Sequence, residues 1–257
     1  MHHRTLKLVL SLSLAFTAAG TLARAQGVST TITPSVVSQY MFRGVRLGGP
    51  ALQPSVEVAS GNLGVGVWVS TPLKDKVVGQ SDPEIDPYAY YTVALEDNLS
   101  VVPGFTWYTY TNADTKAGFY KSTFEPSLAI NYTVSGVKLT PKFYYDMVVK
   151  GPTYEFAASY TVPVKDINSE VGLTATIGTY TWNEAVKDSA PSTKNKGDYF
   201  ILGAAMPFEL IKGQKLVLGA SWSKGSSNYY QTGTGPKITN TAAVSRIFAT
   251  VSYIVSF

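Results

Sequence analysis

The chain has 257 residues, with 21 Lys+Arg against 17 Asp+Glu, 32 aromatic residues, 22 glycines and no cysteine. Only 15% of residues are charged and mean hydropathy is +0.05. Without cysteine there is no disulfide framework or thiolate metal site, and without basic patches interleaved with aromatics there is no nucleic-acid motif.

In chain order, Arg4 and Lys7 precede an apolar run from Leu8 to Ala19, and Ala23-Arg24-Ala25 forms a small-x-small site before Gln26. This is the pattern of a cleaved secretory signal peptide, 1–25. The run is too short for a spanning helix, which needs roughly 20 apolar residues. Removing it takes away Arg4, Lys7, Arg24 and both histidines, His2 and His3, leaving 18 Lys+Arg against 17 Asp+Glu. The pI of about 9.0 therefore belongs largely to the signal, and residues 26–257 are expected to form one domain.

Twelve segments of that domain alternate with the two-residue period of a strand: 30–43, 51–60, 63–71, 84–96, 99–111, 119–132, 137–149, 153–162, 168–182, 197–208, 215–225 and 242–257. In one, Val137, Leu139, Phe143, Tyr145 and Met147 alternate with Lys138, Thr140, Lys142, Tyr144 and Asp146. Tight-turn sequences Ser60-Gly61-Asn62, Glu96-Asp97-Asn98 and Ser135-Gly136 join some neighbours, and longer loops near 43–50, 72–83, 112–118, 183–196 and 226–241 join the others. Short turns on one rim and long loops on the other suit an all-β transmembrane antiparallel up-and-down barrel of about 12 strands, 10 to 14 being compatible. Its apolar face would meet lipid and its polar face the lumen, with both termini in the periplasm. The competing fold is an exported soluble β-sandwich, which does not explain why nearly every segment carries Phe, Tyr, Trp, Val or Leu on its outward face. Pro34, Pro54, Pro87, Pro103, Pro126 and Pro141 fall inside the segments, each removing a ladder donor. All six share the lipid-facing register, where bulges or rim positions would accommodate them.

Two stretches carry a family resemblance. The last segment ends Tyr253-Ile254-Val255-Ser256-Phe257, and a terminal Phe on such a strand resembles the end of bacterial outer-membrane barrels, which implies barrel-assembly machinery as a partner through Phe257. Ser38-Gln39-Tyr40-Met41-Phe42-Arg43-Gly44-Val45, Pro50-Ala51-Leu52-Gln53, Gly66-Val67-Trp68 and Glu84-Ile85-Asp86-Pro87-Tyr88 resemble the S-D-Y-x-F-R-G, P-A-x-Q, G-x-W and E-I-D-x-Y pattern of Gram-negative outer-membrane proteins labelled TorF-like porins. Gln39 stands where an Asp is common. The resemblance implies an outer-membrane location with lipid and lipopolysaccharide as partners; the near-neutral charge of residues 26–257 points to no nucleic-acid partner.

The mature chain has neither His nor Cys. That removes Ser-His-acid and Cys-His nucleophilic sites and the usual zinc ligand sets, so no enzyme activity, cofactor or catalytic residue is expected. The candidate site is the lumen lining. The register points Arg43, Lys138, Lys142, Arg246 and Lys121 inward, with Glu57, Glu84, Asp86, Glu125, Asp146, Glu155 and Glu170. Such charges either face water or pair with one another; Arg43 or Arg246 is expected to reach Glu57 or Asp86. The acidic excess suggests weak cation preference. Asp82, Glu84 and Asp86 read as a solvated loop edge, calcium being the sharper alternative. Tyr88, Tyr90, Tyr108, Tyr110, Tyr144 and Tyr180 point inward, read mainly as filling, with a stacking path for sugars or nucleosides as the alternative. Trp107, Trp222, Tyr40, Tyr120, Tyr132 and Phe257 read as an interfacial girdle. The function these residues suggest is passive passage of small hydrophilic solutes or ions; the alternative is a non-conducting barrel that stabilises the envelope or binds a partner.

Overall fold

The computed structural model describes residues 27–75, 82–115, 120–181, 196–226 and 245–257. The expected signal peptide, 1–25, and most of the loops near 183–196 and 226–241 lie outside the described residues. The chain opens with β1 (Val28–Thr33) and β2 (Ser35–Val37), makes a small hairpin of β3 (Tyr40–Phe42) and β4 (Val45–Gly48), and returns through β5 (Ala51–Leu52) and β6 (Ser55–Ser60). It continues with β7 (Leu63–Pro72), β8 (Glu84–Tyr91), β9 (Val93–Glu96), β10 (Leu99–Tyr110) and β11 (Ser122–Val134). The remaining strands are β12 (Val137–Asp146), β13 (Gly151–Val164), β14 (Ser169–Thr181), β15 (Lys196–Ile211), β16 (Gln214–Gly225) and β17 (Arg246–Ser256).

Fifteen of these strands form one antiparallel sheet, and β3 and β4 form a separate pair. β17 pairs with β1 through Thr31↔Ser256 and with β2 through Ser35↔Ser252, so the sheet closes on itself. Counting β1–β2, β5–β6 and β8–β9 as one crossing each gives a closed barrel of 12 strands. Closure leaves no sheet edge, which is the condition for a sheet to stand in lipid.

The alternation sets the faces. Phe143↔Tyr154, Tyr160↔Leu173 and Leu202↔Trp222 are cross-strand neighbours on the outside, where Ile247 is 78% and Ile177 54% exposed. Apolar side chains this bare need a solvent of their own polarity. One residue along, Lys142↔Glu155, Ser159↔Thr174, Gly203↔Ser221 and Gly219↔Thr250 make a polar inward belt. Short turns gather at one rim. The Ser135-Gly136 turn has positive φ at both residues, 50° and 80°, as a two-residue primed turn requires.

The prolines split into two kinds. Pro34 separates β1 from β2, and Pro54 lies between β5 and β6; their carbonyls still accept from Tyr253 N at 2.9 Å and Val69 N at 3.0 Å. Pro87, Pro103, Pro126 and Pro141 sit within unbroken strands. Opposite Pro103 the ladder from β10 is interrupted, between Gly104↔Tyr90 and Val101↔Val93.

One expected strand is corrected. The segment 30–43 does not run as barrel wall to Arg43: the wall ends at Val37, and residues 40–48 turn back as the β3–β4 hairpin. Of the region read as a loop near 43–50, Val45–Gly48 is therefore strand, packed inside the barrel at the rim opposite the short turns.

Candidate functional site: a hairpin inside the lumen

The hairpin tip is Phe42-Arg43-Gly44-Val45, with Phe42 paired to Val45. Arg43 (φ 47°) and Gly44 (φ 76°) are both left-handed, again the geometry of a two-residue primed turn. For Arg43 that conformation is unfavourable, so something must hold it. Its Nη1 and Nη2 donate to Glu125 Oε2 and Oε1 at 2.8 and 2.7 Å, a planar two-bond fork. The guanidinium centre also lies 4.4 Å from the Tyr144 ring centroid and 4.7 Å from that of Phe42, within cation–π range. Gly44 is required for a second reason. A Cβ there would lie 2.4 Å from Tyr199 Cβ and 2.9 Å from Gly225 Cα.

Glu125 is on β11, Tyr144 on β12, Tyr199 on β15 and Gly225 on β16, whereas the hairpin springs from β2 and β5. The tip therefore crosses the lumen to the far wall. Its base is tied as well. Tyr40 Oη donates to Glu84 Oε2 at 2.8 Å and its ring stands 5.7 Å from Trp68, while Phe42 meets Tyr108 edge-on at 5.9 Å. Arg46 Nε donates to Gln39 Oε1 at 2.5 Å and Arg46 Nη2 lies 3.3 Å from Asp75. Val37, Tyr40, Val45, Leu47 and Ala51 form a buried apolar cluster between hairpin and wall. Burying such side chains contributes about 1.5–3 kcal/mol apiece for the larger ones.

The other predicted lining residues sort by depth. Glu84 and Asp86 are buried, at 3% and 4% exposure, so the reading of these two as part of a solvated loop edge is corrected; Asp82 lies ahead of β8 and is half-buried. The β8 alternation turns Glu84 and Asp86 inward, where Tyr40 bonds Glu84 and the Thr109 amide donates to Asp86 Oδ1 at 3.3 Å. Among the described residues, no three or more His, Asp or Glu side chains come together in a way that could hold a metal ion. Asp146 Oδ1 accepts from Thr123 Oγ1 at 2.7 Å and from the Val148 and Val149 amides at 2.8 and 3.0 Å, holding the β12–β13 connection.

Nearer the short-turn rim, Lys142 Nζ lies 3.4 Å from Glu155 Oε1, and Tyr199 Oη donates to Glu155 Oε2 at 2.9 Å. Glu57 accepts from Tyr88 Oη at 2.9 Å and Tyr90 Oη at 3.0 Å. Lys138 stands between Thr133 and Ser159, Glu170 opposite Pro163, and Arg246 opposite Ser223 at the far end of β17. The expected reach of Arg43 to Glu57 or Asp86 is corrected: the inward fold of the hairpin carries it past both to Glu125. Tyr40 leaves the expected girdle for the same reason and is buried at 5%. Sequence reasoning took Gln39 to Gly48 as strand and loop, and so missed Arg46 and Trp68 as lumenal groups. The available signal was the alternation of Tyr40 and Phe42 with Val45 and Leu47 about an Arg-Gly turn.

This closed twelve-strand barrel, apolar outside, polar inside and narrowed by a chain segment, has the fold of transmembrane antiparallel β-barrels. Residues 23–190 match the model of a family described as "Bacterial protein of unknown function (Gcw_chp)", and the chain belongs to that family. Among solved structures it is similar to the KdgM porin in complex with disordered oligogalacturonate, with TM-score 0.54, 11% identity and coverage of 89% of this chain and 99% of that one. The NanC porin gives TM-score 0.52, 9% identity and coverage of 88% and 98%. LpxR from Salmonella typhimurium gives TM-score 0.52, 7% identity and coverage of 88% and 99%. At these identities the likeness is one of fold alone. No match is found among curated protein sequences.

Proposed function

We propose that this protein is a passive outer-membrane channel for small hydrophilic solutes or ions, with a bore set by the β3–β4 hairpin. The observation that carries the reading is the inward belt of small and hydroxyl side chains on β13–β17, among them Ser159, Thr174, Thr176, Ser221, Thr250 and Ser252. It runs on the short-turn side of the hairpin and remains accessible. Among the described residues, six charged groups are buried around the constriction, namely Glu84, Asp86, Glu125 and Asp146 with Arg43 and Arg46. The carboxylate excess supports weak cation preference. The protein is on this reading a TorF-like porin, exported by the signal peptide 1–25, assembled through its Phe257-terminated strand and held in lipid and lipopolysaccharide. The absence of His and Cys from the mature chain supports a non-enzymatic role.

The packing of the hairpin favours the second reading, a closed structural barrel. Planar-bilayer recording of the refolded mature protein decides between them. Stepwise cation-selective currents are expected, with conductance rising severalfold when residues 39–49 are replaced by a short Gly-Ser link. Silence from both proteins, each folded by heat-modifiable gel mobility, overturns the channel.

A further inference from the structure

The inward charges around the hairpin are already paired or covered. Arg43 is paired with Glu125 and Lys142 with Glu155, while Glu84, Asp86 and Asp146 are buried, away from an ion crossing the lumen. Glu57 is different. It points inward from β6, half-buried, between the root of the hairpin and the short-turn rim. Both its partners are neutral: Tyr88 Oη donates to Oε2 at 2.9 Å and Tyr90 Oη to Oε1 at 3.0 Å. Among the described residues no Lys or Arg stands in ion-pair contact with it. The surroundings fix this carboxylate on the wall. Both tyrosines start on β8 and cross β7 to reach it, and the crossing needs glycine. A Cβ on Gly66 would come within 2.4 Å of Tyr88 Cζ, and one on Gly64 within 2.3 Å of Tyr90 Cζ. A carboxylate offers about four lone-pair positions; the two hydroxyls fill one on each oxygen and leave the others open.

We propose that Glu57 is the residue that sets the cation preference of this channel, and that the ions it favours are small and monovalent. The inference rests on the channel reading and deepens it, by naming the group that selects. A fixed negative charge on a low-dielectric wall raises the local concentration of cations and lowers that of anions. Tyr88 and Tyr90 are positioning residues: they hold the carboxylate in place and add no charge that would cancel it. One carboxylate is too few to trap a divalent ion, since calcium takes roughly 6–8 oxygen ligands. A monovalent cation meets it weakly enough to leave again, as conduction requires. Lys142 cannot offset the effect, because its own charge is answered by Glu155 at 3.4 Å.

The test is the reversal potential of the refolded mature protein in a planar bilayer under a KCl gradient, wild type against Glu57→Gln. Gln has the same size, and its amide oxygen still accepts from a tyrosine. Wild type should favour K⁺, the K⁺/Cl⁻ permeability ratio should fall at least twofold in Glu57→Gln, and Glu57→Lys should favour Cl⁻. Conductance supplies a readout that a merely structural role would not move. Screening reaches ~10 Å at about 0.1 M salt and ~3 Å at about 1 M, so Glu57→Gln should lower conductance in dilute KCl and leave it unchanged in concentrated KCl. Glu170→Gln removes an inward carboxylate that is exposed to water and salt, and should shift the ratio less. Glu57→Asp keeps the charge and should keep the ratio; it decides the matter if Glu57→Gln does not fold, since a ratio lost with the charge intact assigns the effect to packing. An unchanged ratio in folded Glu57→Gln, an equal shift in Glu170→Gln, or the same loss of conductance in dilute and concentrated salt overturns the assignment and leaves the channel standing. Silence from this protein and from the hairpin-replaced one removes the channel reading and this inference together.

Discussion

The two ends of the lumen solve the problem of inward charge in different ways. At the long-loop end the hairpin covers the wall, and Glu84, Glu125 and Arg43 are each less than 10% exposed. Each therefore needs a partner at hydrogen-bond distance: Tyr40 for Glu84, and the two-bond fork for Glu125 and Arg43. At the short-turn end Lys138 and Glu170 point inward with exposed side chains, and water does for them what a partner would otherwise have to do. The contrast teaches that alternation specifies which way a charge points, while burial specifies what it must bond.

If that contrast is right, Arg43→Ala has the largest effect, because it leaves Glu125 buried beside Tyr108 without its cation. A loss of about 3–5 kcal/mol is expected for breaking a buried pair from one side, read as a lower midpoint of urea unfolding in lipid vesicles. A loss under 1 kcal/mol would place the hairpin tip in water. Next come Ile177→Lys and Thr176→Lys, adjacent on β14 but on opposite faces. The first should cost roughly 2–4 kcal/mol if it lies near the bilayer midplane, the second far less, so equal midpoints would remove the assignment of inside and outside.

Gly44→Ala tests the close approach of the hairpin to β15 and β16. Its added Cβ meets Tyr199 and Gly225 at a residue with positive φ, for an expected cost of about 1–3 kcal/mol. The same change should increase open-channel noise in bilayer recordings as the tip is displaced. The smallest effect is expected from Lys142→Ala. The Lys142–Glu155 pair is partly wetted, with 35% exposure on the lysine side, and pairs of that kind contribute about 0–1 kcal/mol. An Arg43-sized loss there would mean that both ends of the lumen are dry.

Much of the barrel was legible from the chain. The alternation of Val137 to Asp146, the Ser135-Gly136 turn and the polar face of the last strand all appear where local spacing put them, because a strand's period and a primed turn's φ angles depend on near neighbours only. The hairpin was not legible to the same degree. Tyr40, Phe42, Val45 and Leu47 alternate as a strand would, so their pattern continues the first segment of the wall. The reason they leave it lies far along the chain, in Glu84, Glu125, Tyr144 and Tyr199. The motif that suggested a family is thus largely the motif of an inward-folded segment.

By itself, then, the amino-acid order determined a closed, lipid-facing sheet and the inward direction of Glu57, Glu84, Glu125, Lys142 and Glu155. Both follow from hydrophobic periodicity, a property of residues two apart. Only the tertiary structure decided that Arg43 meets Glu125 and that Tyr88 and Tyr90 lie flat over Gly66 and Gly64. Those contacts join strands up to 82 positions apart, and their energies exist only once the barrel has closed around the hairpin.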